Sequence, residues 1–95
     1  MRPRWTRLAE GDLEAIAAYI GQDSPAAAIR VVLELIDQVE TRLAPRPAIG
    51  RPGRVLGTRE FVISGLPYVI AYRVRDRQVE VLRVLHTSRR WPGDL

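Results

Sequence analysis

His86 is the single histidine of this chain, and all fifteen of its basic residues are arginine. Histidine is the one side chain whose unperturbed pKa lies near neutrality. Arginine forks hold phosphate bidentately. Together they are material for phosphodiester cleavage, in which a 2′-hydroxyl proton must move and fixed positive charge must meet the transition state. Arg59, Arg73, Arg83 and His86 make up the candidate catalytic set. Spacing argues against it. Arg83 and His86 are three apart, so a regular strand turns them to opposite faces unless a bulge or strand end precedes His86. Glu60 is a further candidate base, but its neighbour Arg59 points away from it for the same reason. Glu60 is expected to be a solvated strand residue or the partner of an arginine on the next strand. Tyr68 and Tyr72 share one parity and are expected to be half-buried sheet residues.

Other chemistries are excluded or lack their residues. There is no cysteine, hence no disulfide, thiolate metal site or thiol nucleophile. No carboxylates are spaced for a metal, and no Ser/His/Asp arrangement is present. Gly50-Arg51-Pro52-Gly53 lacks the Lys-Ser/Thr of a nucleotide P-loop. No cofactor and no metal are expected.

Charge is distributed unevenly. The net charge is +4, but residues 1–44 carry five arginines against seven acids, and residues 45–95 carry ten against four. A basic half beside an acidic half points to an acidic or polyanionic partner. Arg51, Arg54, Arg59, Arg73, Arg83, Arg89 and Arg90 are candidates for one basic surface. Trp91 beside Arg89 and Arg90 either stacks on a base or pins the tail to the core, and the second is expected because Pro92 follows directly.

The elements that must position these residues can be read along the chain. Ninety-five residues with 46% apolar content suit one domain, residues 1–95. No apolar run approaches the roughly 18–20 residues of a membrane span, and no targeting segment is read, so a cytoplasmic location is expected. Residues 4–6 form a short strand or an extended lead-in. Ala9, Leu13, Ile16, Ala17 and Ile20 recur at spacings of three and four, which predicts a helix over 7–21 with Thr6 as its cap. Glu10, Asp12 and Glu14 lie early in it, where the helix dipole favours carboxylates. Ser24 then Pro25 opens a second helix to about residue 43. Its main stripe is read as Ile29, Val32, Leu33, Ile36, Val39 and Leu43, with Val31 and Leu35 beside it as a second apolar face. Pro45 and Pro47 end it. A loop rich in Pro and Gly spans 45–58, and strands follow over 58–64, 68–74 and 79–86. The expectation is an α+β fold: an N-terminal antiparallel helix hairpin packed on a curled antiparallel sheet of three to four strands. Neither of the last two strands has a polar face, so the second sheet face needs a cover.

In this order the pieces resemble the RelE/ParE superfamily of toxins. The resemblance rests on Trp5-Thr6, Asp12-Leu13-Glu14-Ala15-Ile16, Tyr19-Ile20, Pro25-Ala26-Ala27-Ala28, Gly50-Arg51-Pro52-Gly53-Arg54, Gly57-Thr58-Arg59-Glu60 and Pro67 to Val74. It is strongest over Leu82 to Pro92. It implies a growth-arresting toxin held inactive by a co-encoded acidic antitoxin, with which it forms a hetero-oligomer. The segments around 50–59 and the Val-Leu-His-Thr-Ser stretch are closer to the ParE, or plasmid-stabilisation, branch, which inhibits DNA gyrase. The RelE branch cleaves messenger RNA on the ribosome, and its chemistry would fall to Arg59, Arg73, Arg83 and His86. A third possibility is a non-toxic remnant that keeps only the antitoxin contact. Expected antitoxin contacts are Val31 and Leu35 on the helices with Arg73 and Arg83. Expected target contacts are the seven arginines above with Trp91.

Overall fold

A computed structural model describes residues 2–95. The chain runs β1 (Arg4–Trp5), α1 (Arg7–Gly21), α2 (Pro25–Gln38), a π-helical turn (Val39–Leu43), β2 (Arg51–Pro52), β3 (Arg59–Val62), β4 (Tyr68–Arg75) and β5 (Gln78–His86). Both helix starts are built as the sequence suggests. The Thr6 hydroxyl accepts from Ala9 N–H and the Ser24 hydroxyl from Ala27 N–H, with Pro25 at the first helical position.

The sheet has five strands in the order β1-β5-β4-β3-β2. This exceeds the expected three to four, and it is mixed rather than antiparallel, because β1 pairs parallel to β5. The two additions are two-residue edge strands, too short to show any periodicity in a sequence. Pro52 on β2 and the brevity of β1 keep both edges poor templates for further pairing.

One face of the sheet carries Phe61, Ile70, Tyr72, Val81 and Val84 and packs on the helices through Ala9, Leu35, Val39 and Leu43. The stripe read from the sequence meets the sheet at its C-terminal end, through Val39 and Leu43, but not at its N-terminal end. Leu35 is fully buried and Val31 packs against the core, while Ile29 and Leu33 are 62% and 59% exposed. The misleading residue is Gln38, a polar side chain in the middle of the core face. Its amide nitrogen donates to Ser64 O at 2.9 Å and its amide oxygen accepts from Ser64 N at 2.9 Å. Gln38 thus pairs both backbone groups of Ser64 in the β3–β4 turn, which satisfies a buried amide at both ends. The π turn keeps Leu35, Val39 and Leu43 aligned. A spacing of four overshoots one α turn and falls short of the wider π turn, so the two offsets cancel.

Val69, Ala71 and Leu85 lie on the opposite sheet face and are also buried. Part of their cover is the chain itself. The loop before β3 and the C-terminal tail meet where the Arg54 guanidinium stacks 3.6 Å from the Trp91 ring centroid. Trp91 Nε1–H also donates to His86 O at 3.0 Å, so the tail is pinned as expected.

The β4–β5 turn places Asp76 at φ 52° and Arg77 at φ 62°. Tight hairpins require such angles, and Gly or Asn usually supplies them. An arginine there carries a backbone cost of roughly 1 kcal/mol.

Candidate partner and target surfaces

Two buried carboxylates organise the sheet face turned away from the helices. Glu60, only 5% exposed, accepts from Arg51 Nε and Nη2 at 3.2 and 3.1 Å and from the Arg54 backbone N–H at 2.9 Å. It is therefore not solvated; the other expectation, an arginine across the ladder, is met by Arg51 directly opposite it on β2, with Arg54 of the preceding loop added. Glu80 binds Arg73 Nε, and Arg4 lies 3.8 Å away on its other side. Each carboxylate thus orders two arginines on one face.

Arg83 is committed elsewhere. Its Nε and Nη2 donate to the two Asp12 oxygens at 2.7 and 2.9 Å, and Val84 N–H donates to Asp12 Oδ2 at 2.9 Å. Asp12 was expected to serve the helix dipole. Instead it occupies the edge of β5 beyond the reach of β1, standing in for a strand's carbonyl. This hydrogen bonding pushes the Arg83 guanidinium pKa further upward, so its charge is fixed. Thr6 completes that edge, its hydroxyl donating to Leu82 O at 3.1 Å.

Between α1, the end of β5 and the tail lies a groove of about 210 Å³. Asp12, Tyr19, Tyr68, Arg83, His86 and Trp91 contribute to its walls, with Arg89 and Arg90 at the tail. Arg89 sits 5.3 Å from the Tyr19 ring centroid. Among the described residues Arg90 forms no ion pair. His86 packs edge-on against Tyr68, and its Nδ1 accepts from Ser88 N–H at 3.0 Å, which leaves the proton on Nε2 when the ring is neutral.

The four candidate catalytic residues do not converge. Arg59 pairs with Tyr72 on the helix-facing side, and its Nη1 donates to Gly50 O at 2.8 Å. Arg73 lies on the opposite face. The one bulge in the β4–β5 ladder leaves Leu82 unopposed, ahead of Arg83, so the strand is regular from Arg83 to His86. Their side chains leave opposite faces, as the spacing implied, and they share the groove only because it runs along the strand edge. Asp12, Tyr19 and Glu80 were not singled out as site residues. Their signal is weak: Asp12 and Tyr19 act through partners about seventy residues away, and Glu80 through Arg4 as well as its hairpin neighbour Arg73.

Burial pushes the Tyr68 and Tyr72 phenols above their ordinary pKa. Arg89 opposes this at Tyr68, and the Gly50 N–H donated to the Tyr72 oxygen opposes it there, with Arg59 adding to the opposition. A phenol pKa raised by folding contributes stability that is whole below the unfolded value of about 10 and lost as pH rises through the folded value. The urea midpoint should hold steady up to about pH 9 and decline above about pH 10. Tyr68→Phe should lessen the decline, and a midpoint unchanged by that substitution throughout the alkaline range would contradict the assignment.

A model of the family described as "ParE toxin of type II toxin-antitoxin system, parDE" matches residues 4–91. The chain is 48% identical over 91 residues to the putative toxin Y4kP of Sinorhizobium fredii, covering 96% of this chain and 93% of that protein. It is 44% identical over 85 residues to the toxin RelE2 of Caulobacter vibrioides, covering 90% and 93% respectively. A solved structure titled "Chromosomal ParDE TA system from P. aeruginosa" superposes with a TM-score of 0.80 at 30% identity, covering 93% of this chain and 97% of that one. This chain belongs to the ParE toxin family of type II toxin–antitoxin systems.

Proposed function

We propose that this toxin arrests growth by binding DNA gyrase and blocking it, with no bond chemistry of its own, and that a co-encoded acidic antitoxin neutralises it. The observation that carries the reading is the division of the candidate catalytic set. Arg59 lies on one sheet face and Arg73 on the other, and Arg73 and Arg83 are each spent on a carboxylate. An RNase would need these charges aimed at one scissile phosphate. The target surface on this reading is the ordered arginine face of Arg51, Arg54 and Arg73, continued by Arg89, Arg90 and Trp91 along the groove. The site of action is the cytoplasm.

The antitoxin contact expected of Leu35 is not available, since that side chain is in the core. The exposed apolar residues of α2, Ile29 and Leu33, take its place, and an acidic segment folding onto them would reach the arginines of the sheet half.

The name of the Caulobacter relative, RelE2, is the observation on the side of messenger-RNA cleavage. One substitution separates the two. The purified chain should inhibit gyrase supercoiling, and His86→Ala should leave that inhibition and toxicity intact. If translated messages are cut instead, and His86→Ala slows cutting by about 10²-fold, the usual weight of an acid–base group, the gyrase reading is wrong.

A further inference from the structure

We infer that the open edge of β5 receives an extended acidic segment of the target protein as one more strand, running parallel to β5. Register decides which backbone groups are free. Val84 and His86 stand opposite Ile70 and Tyr68, and Val84 N–H and His86 O are both bonded on the side away from β4. The N–H and C=O of one strand residue point the same way, so both residues turn their backbone groups outward. β1 ends opposite Val81, and Thr6 beyond it reaches only Leu82 O. Asp12 takes Val84 N–H, while Arg89 N–H and Trp91 Nε1–H take His86 O. Val84 O and His86 N–H are left, and among the described residues neither has a partner.

These two groups select the direction of the incoming strand. An antiparallel strand exchanges two hydrogen bonds with a single residue, and at Val84 and at His86 one of the two groups is already spent. A parallel strand instead uses the oxygen of one residue and the N–H of the residue two further on. One residue set opposite Leu85 would donate to Val84 O and accept from His86 N–H. The strand would continue the line of β1 past the point where Thr6 turns the chain into α1. A helix has no free main-chain groups along its length to meet this edge. The surrounding groove sets the charge. Ala15, Ile16 and Tyr19 form its α1 wall, and Arg89 and Arg90 join it from the tail. Asp12 and Arg83 neutralise each other, so the remaining charge is positive and calls for acidic side chains. The occupant comes from the target, because the groove continues the arginine surface assigned to it. The antitoxin residues Ile29 and Leu33 lie on α2 and do not line the groove. This mode of binding rests on the gyrase reading.

The test measures binding of the full chain to purified DNA gyrase by interferometry. His86→Pro and His86→Ala both remove the imidazole, but only proline removes the backbone donor, at an edge position whose N–H the ladder to β4 does not use. H86P should bind gyrase about tenfold more weakly than H86A, the weight of one lost hydrogen bond. Urea midpoints show whether H86P keeps its fold. Ala15→Glu sets a charge on the exposed groove wall and should weaken binding about tenfold, through like charge and lost room. Ala18→Glu, exposed on the same helix outside the groove, should leave binding unchanged. Equal binding by folded H86P and H86A overturns the added strand and leaves the gyrase reading standing. If H86P does not fold, A15E decides, and binding equal to that of A18E overturns the strand. A native chain that does not bind gyrase overturns both. Loss of binding to the co-encoded antitoxin in H86P and A15E, with gyrase binding unchanged, overturns the choice of partner.

Discussion

Asp12→Ala is expected to lower folding stability by about 3 kcal/mol. The carboxylate accepts three hydrogen bonds, two from the Arg83 guanidinium and one from Val84 N–H. Removing it strands a guanidinium that is only 22% exposed, together with a backbone donor on the edge of β5 that β1 does not reach. Breaking a fully buried pair from one side costs about 3–5 kcal/mol, and the partial exposure here places the loss at the low end. Asp12→Asn keeps an oxygen for Val84 N–H and should recover part of the loss. Urea denaturation of the three proteins checks this. A loss below about 1 kcal/mol for Asp12→Ala would mean that the pair is an ordinary surface bridge.

Gly50→Ala should be comparably damaging, at about 3 kcal/mol, for a different reason. A Cβ on residue 50 would lie 2.5 Å from the Tyr72 hydroxyl oxygen and 2.9 Å from Glu60 O. The tyrosine cannot yield. Its ring is fully buried, its hydroxyl donates to Pro47 O at 2.7 Å, and it accepts from Gly50 N–H at 2.9 Å. Those two bonds tie the loop between the helices and β3 to the middle strand. The added methyl group must therefore displace the loop, and with it Arg51 and its grip on Glu60. Gly93→Ala, where a Cβ meets nothing within 4 Å, is the matched control and should change the urea midpoint little. Equal midpoints for the two variants would show that the loop can move freely.

The regular part of this architecture is visible in the sequence. Ser24-Pro25 marks a helix start without ambiguity, and strands β3 to β5 announce themselves through runs of β-branched and aromatic residues. What escapes reading is set by partners far along the chain. Gln38 looks like a solvent residue until Ser64 is brought against it. Asp12 looks like a dipole residue until Arg83 arrives. Glu60 looks exposed until the preceding loop folds back over it. The inward face is legible at Val39 and Leu43 but not earlier in α2, where Val31 and Leu35 turn inward in place of Ile29 and Leu33: a helix apolar on several sides is oriented by the sheet, and the sheet is absent when the helix is considered alone. The division of the catalytic candidates, by contrast, was already implied by the parity of residues 83 and 86.

The first helix is held by the last strand. Thr6 reaches Leu82 and Asp12 reaches Arg83 and Val84, across sequence separations of 71 to 76 residues in a chain of 95. Synthesis delivers these halves in the wrong order for early folding. The first helix leaves the ribosome early and lacks its strand partner until β5 follows. Anchoring of the first helix thus waits on the last strand, and any partner that meets this protein during translation meets α1 before its strand exists.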